Sequence, residues 1–551
     1  MGEVSRLNNS QENMTKRQTG IFCLLLIAAV VALYGQFLSN PIVFDDVYFF
    51  LVDEEGNQPV SSLVFSPFQL RSLPYATLAW TNAWFGLDLM GFRIGNLLLH
   101  AAAVLALFFF LLNLFATVFE VQRQEGLSHP TAAFFAALLF ALHPVATYAA
   151  GYLVQRTTVM ATAFSLLAML AYVHGSLRQT SGALWMSVPF YFLAVTAKEH
   201  AIMLPAVLLA LTALLHDDWR TKIRQRWEIF ACLAVIAAFA VLAKRNLLGS
   251  VYEIQSPDMF HQNEGGPVYP MSVLTQCWLF FKYALMWVLP NPAWMSIDMR
   301  EPFAQSLLSP YLIAAAGFLA WGAGACWLLF KRGRTGLVGF ALLFPWLMFF
   351  TEFASVRIQD TFVLYRSYLW AAGAFCLLPM LFAKMGARPA STILTVIALT
   401  LFPLSMGRLQ TFSHPVLLWD DAEKLVKGRP DLPGASRIYY NRGTEMLRID
   451  RLDQAVADLK QSIALTPNFA EAHGNLGAAY FKKEDWASAV ESFSAAIEVT
   501  RVQGRPVIPR HFYGRAQAYE KLGEIQKANE DYKTSCELIK RGCEKLPPQG
   551  S

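Results

Sequence analysis

Two adjacent carboxylates, Asp45 and Asp46, close the stretch Pro41-Ile42-Val43-Phe44-Asp45-Asp46 just beyond a long apolar run. Acidic groups at the edge of a membrane are costly unless paired or solvated. Partial burial and mutual repulsion raise one pKa of such a pair, which suits a general base; the bland alternative is a solvated helix end. Arg71, in Leu70-Arg71-Ser72-Leu73-Pro74, stands among Phe, Trp and Tyr. A guanidinium at headgroup depth can hold a lipid phosphate through forked hydrogen bonds, or it can be a snorkelling anchor. His143-Pro144 precedes Gln155-Arg156, and the proline could kink a helix and open a cavity. Lys198-Glu199-His200 makes a tight turn between apolar runs, where Lys and Glu can simply neutralise each other. Arg366 opens a late apolar run and requires a cavity or a partner, for which Glu352 or Asp360 is available. No Gly-rich phosphate loop, zinc spacing or nucleophile elbow accompanies these residues.

The elements that must position them are set by composition. Of 551 residues, 55% are hydrophobic and only 15% charged, against about a quarter charged in a soluble domain. Seven cysteines are too sparse for a disulfide scaffold, and a net charge of +5 does not point to nucleic acid. A membrane-crossing helix needs about 20 mostly apolar residues. Apolar segments lie near 20–38, 92–116, 131–149, 157–174, 183–197, 201–215, 228–243, 273–290, 310–330, 337–351, 362–382 and 391–407. The first follows Lys16 and Arg17 and ends in Leu33-Tyr34-Gly35-Gln36-Phe37-Leu38-Ser39-Asn40-Pro41 without a small-x-small cleavage site, so it reads as a retained signal anchor after a cytoplasmic arm, 1–19.

Basic clusters in short loops mark the cytoplasmic side. They are Lys16/Arg17, then Arg220, Lys222, Arg224 and Arg226, then Lys331, Arg332 and Arg334, then Lys384 and Arg388. All fall on one side if one of 228–243, 273–290 and 310–330 does not cross, and the best candidate is 273–290. That segment carries Lys282, is bounded by Pro270 and Pro290, and is flanked by polar loops at 251–270 and 291–309. The expectation is therefore eleven spans, with 273–290 interfacial or re-entrant and the soluble tail outside the cytoplasm. This topology gathers Asp45, Asp46, Arg71, Gln155, Arg156, Lys198, Glu199, Glu352, Arg357 and Asp360 on the outer face.

After a linker at 408–435 the chain repeats. Gly443, Ala455 and Pro467 recur as Gly477, Ala489 and Arg501, the last breaking the pattern, and a third copy carries Ala516, Tyr519, Ala528 and Tyr532 after a turn lengthened around Gly504-Arg505-Pro506. Small residues where paired helices touch, with an aromatic such as Tyr480 or Phe493 a turn away, form the tetratricopeptide pattern over 436–551. Such stacks offer a concave groove to peptides or proteins, here around Asn441, Asn475 and Tyr480; a short stalk without a ligand is the alternative. Cys536 and Cys543, seven apart on a straight helix, would stand about 10 Å apart and so be free thiols. The fold class is thus all-α: a polytopic membrane bundle over 20–407 followed by a short helical solenoid.

The order of these features resembles the transmembrane and tetratricopeptide-repeat O-mannosyltransferases and their bacterial relatives, of the GT-C glycosyltransferase fold. It runs Phe44-Asp45-Asp46, Arg71-Ser72-Leu73-Pro74, Gly91-Phe92-Arg93-Ile94-Gly95-Asn96-Leu97-Leu98-Leu99-His100-Ala101, Ala141-Leu142-His143-Pro144-Val145, Gln155-Arg156 and Lys198-Glu199-His200-Ala201-Ile202-Met203-Leu204-Pro205, and closes with Trp419-Asp420-Asp421 before the repeats. The resemblance implies a polyprenyl-phosphate sugar donor, reaction on the non-cytoplasmic face, and a Ser or Thr hydroxyl of an exported protein as acceptor, with neither nucleotide nor metal. It implies that Asp45 or Asp46 deprotonates the hydroxyl. Arg71, Arg156 and Lys198 would stabilise the departing phosphate, Glu199 would orient one of them, and His143, Gln155 and Arg366 would complete the donor site. This chain departs from the family where relatives often carry an acidic residue before the late arginine and a proline after Leu369; it has Tyr365 and Trp370. The short arm and three repeats resemble bacterial members, which implies an inner membrane, a periplasmic tail and undecaprenyl phosphate. A glycolipid or polysaccharide glycosyltransferase, and a non-catalytic scaffold for envelope assembly, remain the alternatives.

Overall fold

A computed structural model describes residues 2–50, 59–119, 126–245, 268–308, 310–357 and 360–546, with side chains from Lys16 onward. The polar loop expected over 251–270 therefore lies mostly outside the described residues. Regular structure among them is helical, and the chain forms two compact units: 1–297 with 303–414, and 415–551 with the short stretch 298–302.

In the first unit nearly every expected apolar segment is a helix. Among the described residues six helices are long and apolar enough to cross a membrane: Lys16–Phe37, Leu89–Val118, Leu153–Arg178, Tyr311–Leu329, Gly333–Phe353 and Ala387–Thr411. Two further pairs qualify if each bent pair is one span: His129–Ala141 with Pro144–Ala150, bent by 66°, and Trp219–Gln225 with Trp227–Ala243, bent by 73°. Ser181–Ala197 and Glu199–Leu215 are apolar but short. Length and apolarity thus support six to eight spans, and the expected eleven is not reached on these criteria.

Residues 273–288 of the segment 273–290 belong to a continuous helix, Val268–Val288. The segment 362–382 is not a regular spanning helix. It is a string of short turns, Leu364–Arg366, Ser367–Ala371, Ala372–Leu377 and Leu378–Leu381. Two features break it. Gly373 gives its Cβ space to the Phe344 ring, and Pro379 cannot donate to the preceding turn.

Burial separates the core of this unit from its lipid-facing shell. Leu153–Arg178 and Gly333–Phe353 are 72% and 61% buried, whereas Lys16–Phe37, Tyr311–Leu329 and Ala387–Thr411 are 22–28% buried. Lipid tails are as apolar as leucine, so helices associate by close packing. Gly175 accordingly lies against the backbone of Leu184, where any side chain would clash.

The second unit begins at Pro415, earlier than the expected boundary, because Pro415–Val426 folds with it. Three helix pairs follow: Ala435–Arg448 with Leu452–Leu465, Ala470–Lys482 with Trp486–Val502, and Pro509–Leu522 with Ile525–Ile539. Gly443 makes room for Leu459, Gly477 for the Phe493 ring, and Ala455, Ala489, Ala516 and Ala528 are buried. The first and third pairs are each pinned by an ion pair at the same sixteen-residue spacing, Arg442–Asp458 and Arg515–Asp531.

Cys536 and Cys543 are joined by a disulfide, with Cα atoms 4.9 Å apart. The expectation of free thiols fails because the last helix stops at Ile539. Lys540 and Gly542 then take left-handed backbone conformations that turn the chain back.

Candidate active site

The loop after the first helix is held before it reaches the aspartates. Arg93, buried on the Leu89–Val118 helix, donates from Nε to Asn40 O (2.9 Å), from Nη1 to Gly151 O (2.9 Å) and from Nη2 to Pro41 O (2.5 Å). Phe44 then adopts a left-handed φ of 52°, rare for a bulky residue and costing about 1–3 kcal/mol. Asp45 and Asp46 follow in the single helical turn Phe44–Asp46, where at three residues per turn successive side chains project about 120° apart, so the two carboxylates point in different directions.

Asp46 turns inward and is fully buried. Its Oδ1 accepts the Val154 N–H at 2.9 Å and its Oδ2 the Val43 N–H at 3.4 Å. Burial pushes its carboxyl up to about 7, against the pull of Arg93 and the two amides. A raised pKa alone would nominate it as the base, but its oxygens are committed to the backbone. Asp45, whose own N–H donates to the Tyr152 hydroxyl at 2.9 Å, lines a cavity of about 580 Å³ in the first unit.

Arg71 also has a left-handed φ, 66°, and its N–H donates to Thr196 O at 2.7 Å. That places its guanidinium against Glu199 in a two-pronged pair, Nε to Oε2 at 2.9 Å and Nη2 to Oε1. Lys198, in the turn closing the Ser181–Ala197 helix, is buried. Its Nζ donates to Gln155 Oε1 (3.0 Å) and Thr158 Oγ1 (2.6 Å) and lies 5.0 Å from the centre of the Tyr365 ring. Burial first, and then the neighbouring Arg71, hold its ammonium well below the ordinary lysine pKa. An incoming anion would relieve that cost.

Arg366 donates to Asp360 O at 2.9 Å and lies 3.4 Å from Glu352 Oε2. Glu352, 1% exposed, stands behind the cavity with Arg357 at 4.0 Å; His200 Nε2 is 3.2 Å from its other oxygen, off the line of a good hydrogen bond. The cavity lining brings together five cations, Arg71, Lys198, Lys244, Arg357 and Arg366, with three carboxylates, Asp45, Glu199 and Asp360. This positive excess suits an anionic ligand, and Asp45 lines the same space.

Three expected site residues lie elsewhere. Asp46 is the buried brace just described. Arg156 is buried away from the cavity. It donates to Asn96 Oδ1 (2.8 Å), Phe92 O (2.7 Å) and Thr77 Oγ1 (3.2 Å), and a Cβ at Gly95 would fall 2.7 Å from its Nη2. The Gly91–Ala101 motif is therefore scaffold: Arg93 ties two loops, Asn96 donates to Tyr152 O and Leu153 O, and Gly95 seats Arg156. His143 caps the helix beyond the kink, accepting the Val145 N–H at 3.2 Å, and its ring stacks on Trp287. Gln155 lines the cavity as expected, along with Arg71, Lys198, Glu199 and Arg366.

Tyr152, Thr158 and Arg93 were not singled out as site residues from the sequence. Only Arg93 carried a signal, a cation inside an apolar helix. In the repeat unit, Asn475 donates to Thr444 Oγ1 at 2.8 Å, Tyr480 lies under Lys460, and Asn441 is half-buried.

Comparison with known proteins agrees with both units. Residues 449–484 match a tetratricopeptide-repeat model. The chain is 23% identical over 278 residues, 48% of its length and 37% of the relative's, to the protein O-mannosyl-transferase F38B6.6 of Caenorhabditis elegans. It is 25% identical to the protein O-mannosyl-transferase TMTC4 of Homo sapiens over 54% of its length and 36% of that protein, and 25% identical to the Mus musculus TMTC4 over 40% and 29%. The match thus spans about a third of the length of these curated relatives. Among solved structures, MamA is 21% identical over 26% of this chain and 80% of its own with a TM-score of 0.21, and yeast Tom70 is 15% identical over 71% and 73% with 0.19; likenesses this slight carry no argument. With its helical bundle, several apolar helices and repeat tail, the chain is similar to these protein O-mannosyl-transferases over about half of its own length.

Proposed function

We propose that this chain is an integral-membrane glycosyltransferase that moves a sugar, mannose by analogy with its named relatives, from a polyprenyl phosphate to a Ser or Thr hydroxyl of an exported protein. The observation that carries the reading is the shared cavity, in which Asp45 faces a cluster of arginines and a lysine. The acceptor oxygen attacks the anomeric carbon as its proton passes to the Asp45 carboxylate. The bond from that carbon to the phosphate oxygen breaks, with inversion, and both electrons leave with the polyprenyl phosphate. Negative charge grows on that phosphate in the transition state, where Lys198, Arg366, Arg357 and Arg71 are already in place to meet it. Glu199 holds the Arg71 fork. The repeats would present the acceptor through the groove around Asn441, Asn475 and Tyr480.

The test is the purified full chain in liposomes with undecaprenyl-phosphate mannose and a mixture of exported proteins, read by intact mass. A hexose increment on Ser or Thr is expected. A glycolipid product with unmodified protein would replace the acceptor, and no release of polyprenyl phosphate from any sugar donor would refute the reading.

The reaction is assigned, in this proposal, to the extracytoplasmic face of a membrane. The Cys536–Cys543 disulfide lies in the tail, whereas Cys23, Cys232, Cys277, Cys326 and Cys376 in the membrane unit are free. Disulfides persist in oxidising compartments, which supports a periplasmic tail. A cysteine placed at Gly504 should therefore react with an impermeant maleimide in cells stripped of outer barriers, above the background of the unsubstituted chain. Labelling only after lysis would reverse the sidedness.

A further inference from the structure

Tyr365 lines the cavity but takes no part in the scheme above. Its ring is fixed from two sides, by Lys198 Nζ at 5.0 Å from the ring centre and by the tilted Tyr152 ring at 6.4 Å. Its backbone sits in the Leu364–Arg366 turn, next to an arginine bound to Glu352 and to Asp360 O. The position is rigid, yet no donor or acceptor among the described residues takes its hydroxyl.

Four other tyrosines of the same unit have hydrogen-bond partners for their hydroxyls. Tyr283 donates to Val363 O at 2.9 Å and Tyr191 to Ile202 O at 2.9 Å, Tyr172 pairs with Thr212 Oγ1 at 2.6 Å, and Tyr368 pairs with His100 Nδ1 at 2.6 Å. A fold that provides partners for those hydroxyls leaves this one facing a ligand space. Its location narrows the ligand group. On one side Tyr152 receives the Asp45 N–H; on the other Lys198 marks the cation cluster. A donor with its phosphate at the cations and its anomeric carbon within reach of Asp45 must lay its sugar ring between them.

We propose that the Tyr365 hydroxyl hydrogen-bonds a hydroxyl of the transferred sugar and so selects the donor. This rests on the glycosyltransferase reading and names the part of the site that reads the sugar. Sites built to bond a substrate hydroxyl discriminate strongly against analogues that lack it, because the protein group is then left unpaired.

The experiment uses the full chain and a set of polyprenyl-phosphate hexoses: the parent and its singly deoxygenated analogues. Tyr365→Phe should lower kcat/KM for the parent about tenfold. It should leave one deoxy donor unaffected, so that discrimination between that analogue and the parent collapses. Equal loss across all donors would mean contact with the phosphate or mere packing, and no loss would mean no contact; either overturns the proposal. If the Phe variant folds poorly, the ratio of two sugars transferred from mixed donors, measured on its remaining active fraction, reads the same selectivity. Asp45→Asn run alongside separates the two ideas: full transfer by that variant sinks the reaction scheme, whereas its loss with an unchanged Tyr365→Phe sinks only the sugar contact.

Discussion

Asp45→Asn is expected to slow sugar transfer by about 10²–10⁴-fold with little change in melting temperature, while Asp46→Ala does the reverse. The two residues are adjacent and chemically identical, so the contrast tests geometry alone. Asp45 lines the cavity, and an amide in its place keeps the shape but accepts no proton. Asp46 has its two oxygens on the N–H groups of Val154 and Val43 and sits behind the loop that presents Asp45. Removing its carboxylate strands two buried amides and one side of Arg93, a loss of about 2–4 kcal/mol.

A pH series adds a sign. The Asp46 carboxyl, pushed by burial up to about 7 from an ordinary 3.8, keeps a proton in the folded chain that the unfolded chain releases between about pH 4 and 7. Stability should therefore fall as pH rises through that window and level off above it. Asp46→Asn, which cannot ionise, should flatten that slope. Equal rate losses in Asp45→Asn and Asp46→Asn, with equal stabilities, would remove the distinction between base and brace.

That distinction was not legible in the sequence, and the reason is local backbone geometry. Asp45 and Asp46 sit in a single tight turn entered through a left-handed Phe44, and a local pattern gives no sign that a phenylalanine will adopt that conformation. Arg71 shows the same limit, since its fork with Glu199, 128 residues away in the chain, is made from a left-handed conformation of Arg71 itself. The apolar segments were readable because hydropathy over about 20 residues averages out such detail. The string of short turns around Arg366 was not, because its apolarity is that of a span while its glycine and proline break the helix. The repeat register was plain, since Gly443 and Gly477 mark each contact between paired helices. The Cys536–Cys543 bridge was missed by extending the last helix too far, past a lysine in a left-handed conformation. Arg156 resembled a donor ligand by motif order; only its three-dimensional partners show that it is structural.

Glu352→Gln should produce the largest loss of stability of any single change near the cavity. The carboxylate is 1% exposed and stands 3.4 Å from Arg366 and 4.0 Å from Arg357. Buried ion pairs contribute little in total, because desolvation offsets attraction, but removing one partner leaves a buried charge uncompensated and costs about 3–5 kcal/mol. Arg366 then has neutral acceptors, the Asp360 carbonyl among them, which cannot replace a full negative charge. The melting temperature in detergent should drop accordingly. The same reasoning makes the loss partly reversible by ligand. Both arginines border the space assigned to the departing phosphate, so polyprenyl phosphate would supply the missing charge. It should raise the melting temperature of Glu352→Gln by more than it raises that of the unaltered protein, since binding stabilises in proportion to its preference for the folded state. An equal or smaller rise would mean that the phosphate does not settle beside Arg366 and Arg357, and the anion site would have to be sought nearer Arg71 and Lys198.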